Sequence, residues 1–501
     1  MSQLSRRSFI RGVAAMPVAL WLASRGALAD TPFIRYDIAT PEGAAMLQIY
    51  AEAVAKMQAL GPGDPSSWTW AWYTHFVDGL TTKDSEIARV FGDVASPARD
   101  LAVEMWNTCQ AHSGQNPNNF LPWHRMYVLF MENIIRQVSG HPEFAMPYWN
   151  YTSSDPALRG IVPIQFRMPT DPVYGVLYRA NRTKLANTGQ SIQAKNAVDV
   201  LDLGPAMAKT SYSNVGKVQG FCRALDAGVH SRLHVLTGTA KNMGSVPYAG
   251  RDPLFLVHHA NIDRIWASWN ANGGPNPSNG GWMQQQFVFA DPLGQRVSSK
   301  LSDYFDMAAL GYGYDALIPP AAAPMLAKGT TGTTAAVRNG SQVVTEEVAR
   351  AGNGAELGTR PAHIRLLPVA GTKRTEVLGL APAQQGKRSY IVVRNLHVWV
   401  QPEVLYDLYL APPGPNATPT RDNYIGTIDF FDAEFHDHGH GRMGEALGEN
   451  LYSFEVTRLL ERIARTGNPG ARDELQLIVV PAGAPNPKAR PMVGTIELVR
   501  Q

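Results

Sequence analysis

The chain has 501 residues, 45% of them hydrophobic with 11 tryptophans, and a formal net charge of +3. That length favours more than one folded unit, each large enough for its own core. The near-balanced charge excludes nucleic acid or an anionic membrane surface as a main partner, and two cysteines exclude a disulfide framework.

At the N-terminus, Ser5-Arg6-Arg7-Ser8-Phe9-Ile10 precede an apolar run from Gly12 to Leu22 and the small residues Ala27-Leu28-Ala29. This reads as a twin-arginine signal peptide over residues 1–29, cleaved after Ala29. The apolar run is short of the roughly 20 residues needed to span a bilayer. The expectation is therefore a periplasmic or secreted protein with no stable membrane anchor. Ala44 to Leu60 has apolar residues at helical spacing and is stopped by Gly61-Pro62-Gly63. Trp68, Trp70, Trp72 and Tyr73 then lead, as core aromatics, into His75. His112 follows Cys109 and opens a polar loop, after which Trp123 to Val138 reads as a helix with His124, Val128 and Met131 along one side. Residues 141–220 read as loops and short helices.

His230 and His234 lie four residues apart, so on a helix both imidazoles project from one face. His258 and His259 open a second amphipathic run through Ile262, Ile265, Trp266 and Trp269. Two such helices face to face close a three-histidine site, and His75, His112 and His124 offer another. Neutral nitrogen ligands with few carboxylates or thiols suit copper or zinc better than magnesium or calcium. Zinc proteolysis of the HExxH type fails on one residue, because Ser231 stands where a Glu is required. Pro319 to Pro361 is rich in Pro, Ala, Gly and Thr and reads as a linker (residues 319–361). Beyond it, over 362–501, short period-two runs separated by turns predict an antiparallel β-sandwich. His436, His438 and His440 alternate in a Gly-rich stretch and read as an exposed loop in preference to a third metal site.

Two of these stretches resemble a known family. Pro122 to Glu132, PWHRMYVLFME, is similar to the first copper motif of the type 3 copper proteins, the tyrosinases, catechol oxidases and haemocyanins. Arg251 to Asp263, RDPLFLVHHANID, is similar to their second copper motif, with Asp252, Pro253, Phe255, His259 and Asp263 in place. The resemblance implies a mainly α catalytic domain, a helical bundle over residues 30–318 holding two copper ions. His75, His112 and His124 would bind one, and His230, His234 and His259 the other, with His258 beside the site and not bound. It implies oxidation of phenols or catechols by dioxygen to o-quinones. The alternatives are an o-aminophenol oxidase and a shielded dioxygen carrier. A copper delivery factor and a homo-oligomer stay open.

The same resemblance assigns further roles. Ser231 stands where many relatives have an Asn that orients a water, and Asp226 is the nearest carboxylate to hold that water. This departure puts phenol hydroxylation in question and leaves catechol oxidation untouched. Val246 aligns with a bulky Phe over the first copper of plant enzymes, implying an open entrance. Asp263 would accept the second N–H of His259. Cys109 stands three residues before His112, unlike the spacing of thioether-forming relatives, so a free thiol or a disulfide with Cys222 is expected. Leu310 to Asp315 resembles a tyrosine motif that meets an arginine near the start of the domain, here Arg35. YDLYLAPPG and the closing strand resemble the C-terminal domain of plant polyphenol oxidases, which can cover the copper entrance and keep the enzyme latent.

Overall fold

The structure is a computed structural model that describes residues 32–109, 116–320, 344–379, 386–414, 417–436, 445–446, 451–466 and 474–501. The stretch read as a twin-arginine leader, His112, His438, His440 and the His436 side chain lie outside the described residues. The chain enters through a short strand β1 (Phe33–Arg35) and a helix α1 (Pro41–Ala59). Thr40 caps α1 by accepting from the Gly43 amide, and Pro41 occupies the first turn, where its missing N–H is no loss. Leu47, Tyr50, Val54 and Met57 form the buried stripe of α1. Helix α2 (Trp68–His75) is capped by Ser67, and α3 (Lys83–Phe91) and α4 (Pro97–Met105) follow. Helix α5 (Phe120–Ser139) begins three residues before the predicted start and ends at Gly140, whose φ of 81° supplies the left-handed stop.

Helices α6 (Ser231–Thr237) and α7 (Leu254–Ala271), with the turn Asp226–His230 before α6, carry the second set of histidines. Helix α7 is buried on every side from Leu254 to Trp269, and both it and α1 pack on α5. A hairpin of β2 (Gln286–Ala290) and β3 (Arg296–Lys300) follows. Strand β4 (Tyr312–Tyr314) then returns to pair in parallel with β1, setting Phe33 opposite Tyr312 and Arg35 opposite Tyr314.

The C-terminal region is built on strands β5 (Glu346–Ala351), β6 (Ala355–Glu356), β7 (Ala362–Pro368), β8 (Ser389–His397), β9 (Tyr406–Ala411) and β10 (Tyr424–Ile428). After the small pair β11 (Phe435–His436) and β12 (Glu445–Ala446) come β13 (Leu451–Glu455), the helix α8 (Thr457–Thr466), β14 (Leu475–Pro481) and β15 (Met492–Arg500). The expected sandwich of two sheets is replaced by one nine-stranded antiparallel sheet, in the order β10-β9-β14-β7-β5-β15-β8-β13 with β6 on β15. The sheet curls until its ends nearly meet. Gly426 of β10 lies against the Phe454 ring of β13, where a Cβ would come within 2.2 Å of the ring carbons. Curling serves the same purpose as stacking a second sheet, because both enclose one apolar face. The sheet also begins earlier than expected, with β5 and β6 lying inside the stretch read as linker.

Candidate metal centre

The first cluster is assembled from three segments. His75 closes α2, Cys109 follows α4, and His124 sits in the second turn of α5; all three are buried. One ligand atom from each lies within 4.8 Å of the others, and Cys109 Sγ is 3.6 Å from His124 Nε2. The His124 Nδ1–H donates to the Phe120 carbonyl at 2.8 Å, since a carbonyl can only accept. That bond fixes the tautomer and leaves the Nε2 lone pair available. The disulfide held open for Cys109 is not formed. Cys222 instead donates to the Pro117 carbonyl at 3.4 Å, and burial pushes its thiol up to about 12.

The second cluster comes from α6, α7 and the turn before α6. Helix α6 follows a widened turn, Asp226–His230, in which Gly228 leaves helical geometry (φ −102°, ψ −115°). A single wide turn of this kind re-aims side chains at functional sites. Here it sets His230 Nδ1 3.2 Å from both the Asp226 carbonyl and the Asp226 carboxylate. The His234 Nδ1–H donates to the Met243 carbonyl at 2.8 Å, again freeing Nε2. His230, His234, His258 and His259 bring one nitrogen each within 4.8 Å of one another. The rings of His230 and His234 are 4.7 Å apart.

The two clusters meet at His124 and His259, whose rings stack at 4.1 Å and 7°. Burial, reinforced by the neighbouring imidazoles, holds His258 and His259 well below the usual histidine range, so both rings are neutral. Among the described residues neither ring of this pair has a hydrogen-bond partner on either nitrogen. Orphaned buried polar atoms cost about 1–3 kcal/mol each when nothing satisfies them. A set of buried, neutral nitrogen donors is what copper ions require, so the residues present fit the metals that the copper motifs imply. The stack with His124 puts His259, more than His258, at the junction of the clusters.

Asp263 does not serve His259 as expected. Its carboxylate accepts from Arg35 Nη1 at 3.1 Å, Tyr312 at 2.7 Å and Tyr314 at 2.6 Å, and pairs with Arg125 Nε. The reason is electrostatic: two buried guanidiniums and two phenols claim its oxygens. Burial drives the carboxyl upward, but Arg125, Arg35 and the Tyr314 hydroxyl hold it below the ordinary carboxylate range. Arg264 turns elsewhere, to the Ala316 carbonyl. Arg35 does reach the tyrosine motif, donating to the Tyr314 hydroxyl at 3.1 Å.

Asp226 is tied to Arg223 at 2.7 Å as well as to His230. Ser231 donates to Asp429 of the C-terminal region at 2.7 Å. Val246 opens a short helical turn and is fully buried, and the entrance expected to be open above it is closed. The second cluster is covered by Phe431, which follows β10. Its ring lies parallel to His234 at 4.3 Å and 11°, and edge-on to His230 at 6.0 Å. It belongs to the apolar core of the helical region and not to that of its own sheet. Sequence reasoning passed over Phe431; the signal was a Phe pair set between two acids, Asp429 and Asp432, at the end of a strand.

A tyrosinase family profile, the common central domain of tyrosinase, matches residues 65–272. A tyrosinase of Hahella sp. (strain CCB-MM4) is 31% identical over 302 residues, covering 54% of this chain and 61% of that protein. A chloroplastic polyphenol oxidase of Malus domestica is 24% identical over 462 residues, covering 83% of this chain and 70% of that protein. Among solved structures, latent apple tyrosinase aligns with a TM-score of 0.60 at 21% identity over 94% of this chain and 97% of its own. That last likeness is one of fold. Residues 65–272 thus match the central domain of tyrosinase, and the chain is similar to bacterial tyrosinases and plant polyphenol oxidases, which are type 3 copper proteins.

Proposed function

We propose that this chain oxidises phenols or catechols with dioxygen to o-quinones, and that its C-terminal region keeps it latent. His75, His112 and His124 would hold one copper, and His230, His234 and His259 the other. Held there, two copper ions would together supply the two electrons that dioxygen accepts with difficulty one at a time. The single observation that carries the reading is the meeting of two buried histidine clusters at the His124–His259 stack.

The chain's own contribution is positional. Carbonyl acceptors at Phe120 and Met243 keep Nε2 of His124 and His234 in the metal-binding tautomer, and Asp226 steadies His230 from the Nδ1 side. Clamped by Arg223, Asp226 is a positioning residue for that histidine and not a free base for a phenol proton. Ser231 is engaged by Asp429 while the C-terminal region is docked. Phe431 fills the space over His234 that a substrate ring would take, which supports latency. The leader-like start supports export of the folded, metal-loaded protein to the periplasm or beyond by the twin-arginine route.

The test is oxygen uptake by the copper-loaded chain with a monophenol and then a catechol, before and after mild proteolysis between Ile318 and Glu346. Uptake with catechol after cleavage is expected; uptake with the monophenol as well would make it a tyrosinase. The seal formed by Phe431 also favours a second reading, a shielded dioxygen carrier, which predicts no uptake with either compound in any state.

A further inference from the structure

The contacts of the plug are not only apolar. From Thr427 to Glu434 the chain carries three carboxylates, Asp429, Asp432 and Glu434, and no basic residue. All three are buried, and burying a carboxylate costs several kcal/mol unless donors await it. The helical region supplies those donors around the entrance. Arg223 Nη1 lies 3.4 Å from Asp432, the Ser231 hydroxyl donates to Asp429 at 2.7 Å, and the Ser245 hydroxyl donates to Glu434 at 3.0 Å. A lid that served only to exclude water would need none of them.

We infer that the plug imitates a substrate in two parts, the Phe431 ring standing for the aromatic ring and the adjacent Asp432 for a carboxylate, so that Arg223 is a specificity residue for anionic phenolic acids. This rests on the oxidase reading above. The ring part is set by the parallel stack on His234, and the anionic part by the next residue in the chain, which leads straight to Arg223. Arg223 already pairs with Asp226 at 2.7 Å, but a planar guanidinium carries five N–H donors and takes a second carboxylate without releasing the first. With the plug withdrawn, Arg223 loses one acceptor beside the place where the substrate ring sits. A carboxylate on a short arm replaces it. A zwitterionic amino acid is the poorer match, because the plug brings no cation for its ammonium group to copy.

The experiment separates the two parts in the full-length, copper-loaded chain. Phenylacetate and 2-phenylethanol differ only in the charged group, and their binding is measured by calorimetry. In Phe431→Ala the ring space is open while Asp432 still holds Arg223, so the two compounds bind alike. In Phe431→Ala/Asp432→Ala phenylacetate is expected to bind about tenfold more tightly than the alcohol, the usual reward for a desolvated charge pair. Adding Arg223→Gln abolishes the preference and Arg223→Lys restores part of it. Equal binding of the two compounds by the double variant would overturn the inference. So would a preference that survives Arg223→Gln, since the carboxylate would then be reaching the metal. Should Arg223→Gln fail to fold, the comparison of the single and double plug variants decides alone. Catechol-dependent oxygen uptake by the same variants tests the oxidase reading separately: turnover without a carboxylate preference defeats only this inference, and a preference without turnover defeats only that reading.

Discussion

The two histidine clusters share a frame and differ in what covers them. Arg125 follows His124 on α5, and Asp263 stands one helical turn after His259 on α7, so their buried ion pair ties the two metal-bearing helices together. Among the described residues the cover is one-sided. Phe431 lies on His234 and against His230, Asp429 takes Ser231, and Asp432 reaches Arg223. These contacts all fall on the second cluster, whereas the first is walled by its own region, with Phe255 4.8 Å from His75 and Trp123 4.9 Å from His124. The difference teaches that the fold builds one centre and, among the described residues, covers it from one side, the side contributed last along the helical part of the chain.

The sharpest way to break this picture is at the ligands. His259→Ala is expected to lower copper from two ions to about one per chain, whereas His258→Ala retains both; equal loss in the two variants, read by metal analysis, would reverse their assignment. Next comes the shared tie. Asp263→Ala leaves Arg125 buried without a counter-charge, while Arg35 keeps Glu132, and is expected to lower stability by roughly 3–5 kcal/mol. Denaturant unfolding gives that figure, and copper should be lost from both clusters together; loss from one alone would show that the frame is not common to both. The one-sided cover predicts that Phe431→Ala raises catechol-dependent oxygen uptake of the uncleaved chain by roughly a hundredfold, about 3 kcal/mol in barrier. No gain would mean that another contact closes the entrance.

The smallest effect concerns pH. Burial raises the Asp429 carboxyl to about 6, against the opposing bond from Ser231. A raised value means that the docked state favours the protonated acid. Its contribution is therefore complete below about pH 4 and is lost as pH rises through about 6. Asp429→Asn should stabilise the docked chain at pH 7 to 8 by on the order of 2 kcal/mol and change little at pH 4. A denaturation midpoint followed against pH checks this, and a difference that grew toward acid would contradict it.

Much of the centre was legible because its residues obey helical spacing. His230 and His234, four apart, and His259 with Asp263, four apart, declare the faces that carry them, and the long apolar runs around them leave little choice of element. What spacing does not carry is the partner of a side chain distant in sequence. Asp263 looked like a support for His259 because the two are neighbours on one helix, yet Arg35 reaches it from 228 residues away. The C-terminal strands were visible from their alternation, but alternation marks a buried face without saying whether a second sheet or the curl of the same one covers it. Phe431 was hidden for a similar reason: a phenylalanine at a strand end reads as part of its own core, and only the docked arrangement reveals that it serves the other.

The parallel pairing of β1 with β4 has a consequence for how the protein can be cut. Phe33 and Tyr312 are neighbours, so the helical region begins and ends at the same corner, and Arg35 is bonded there to Glu132, Asp263 and Tyr314. A break between Ile318 and Glu346 therefore leaves both ends of the helical region fastened to each other. The same geometry would let the helical region be rejoined end to end and opened at a surface loop elsewhere, as circular permutation requires. That seam, and not the chain beyond it, holds the two ends together.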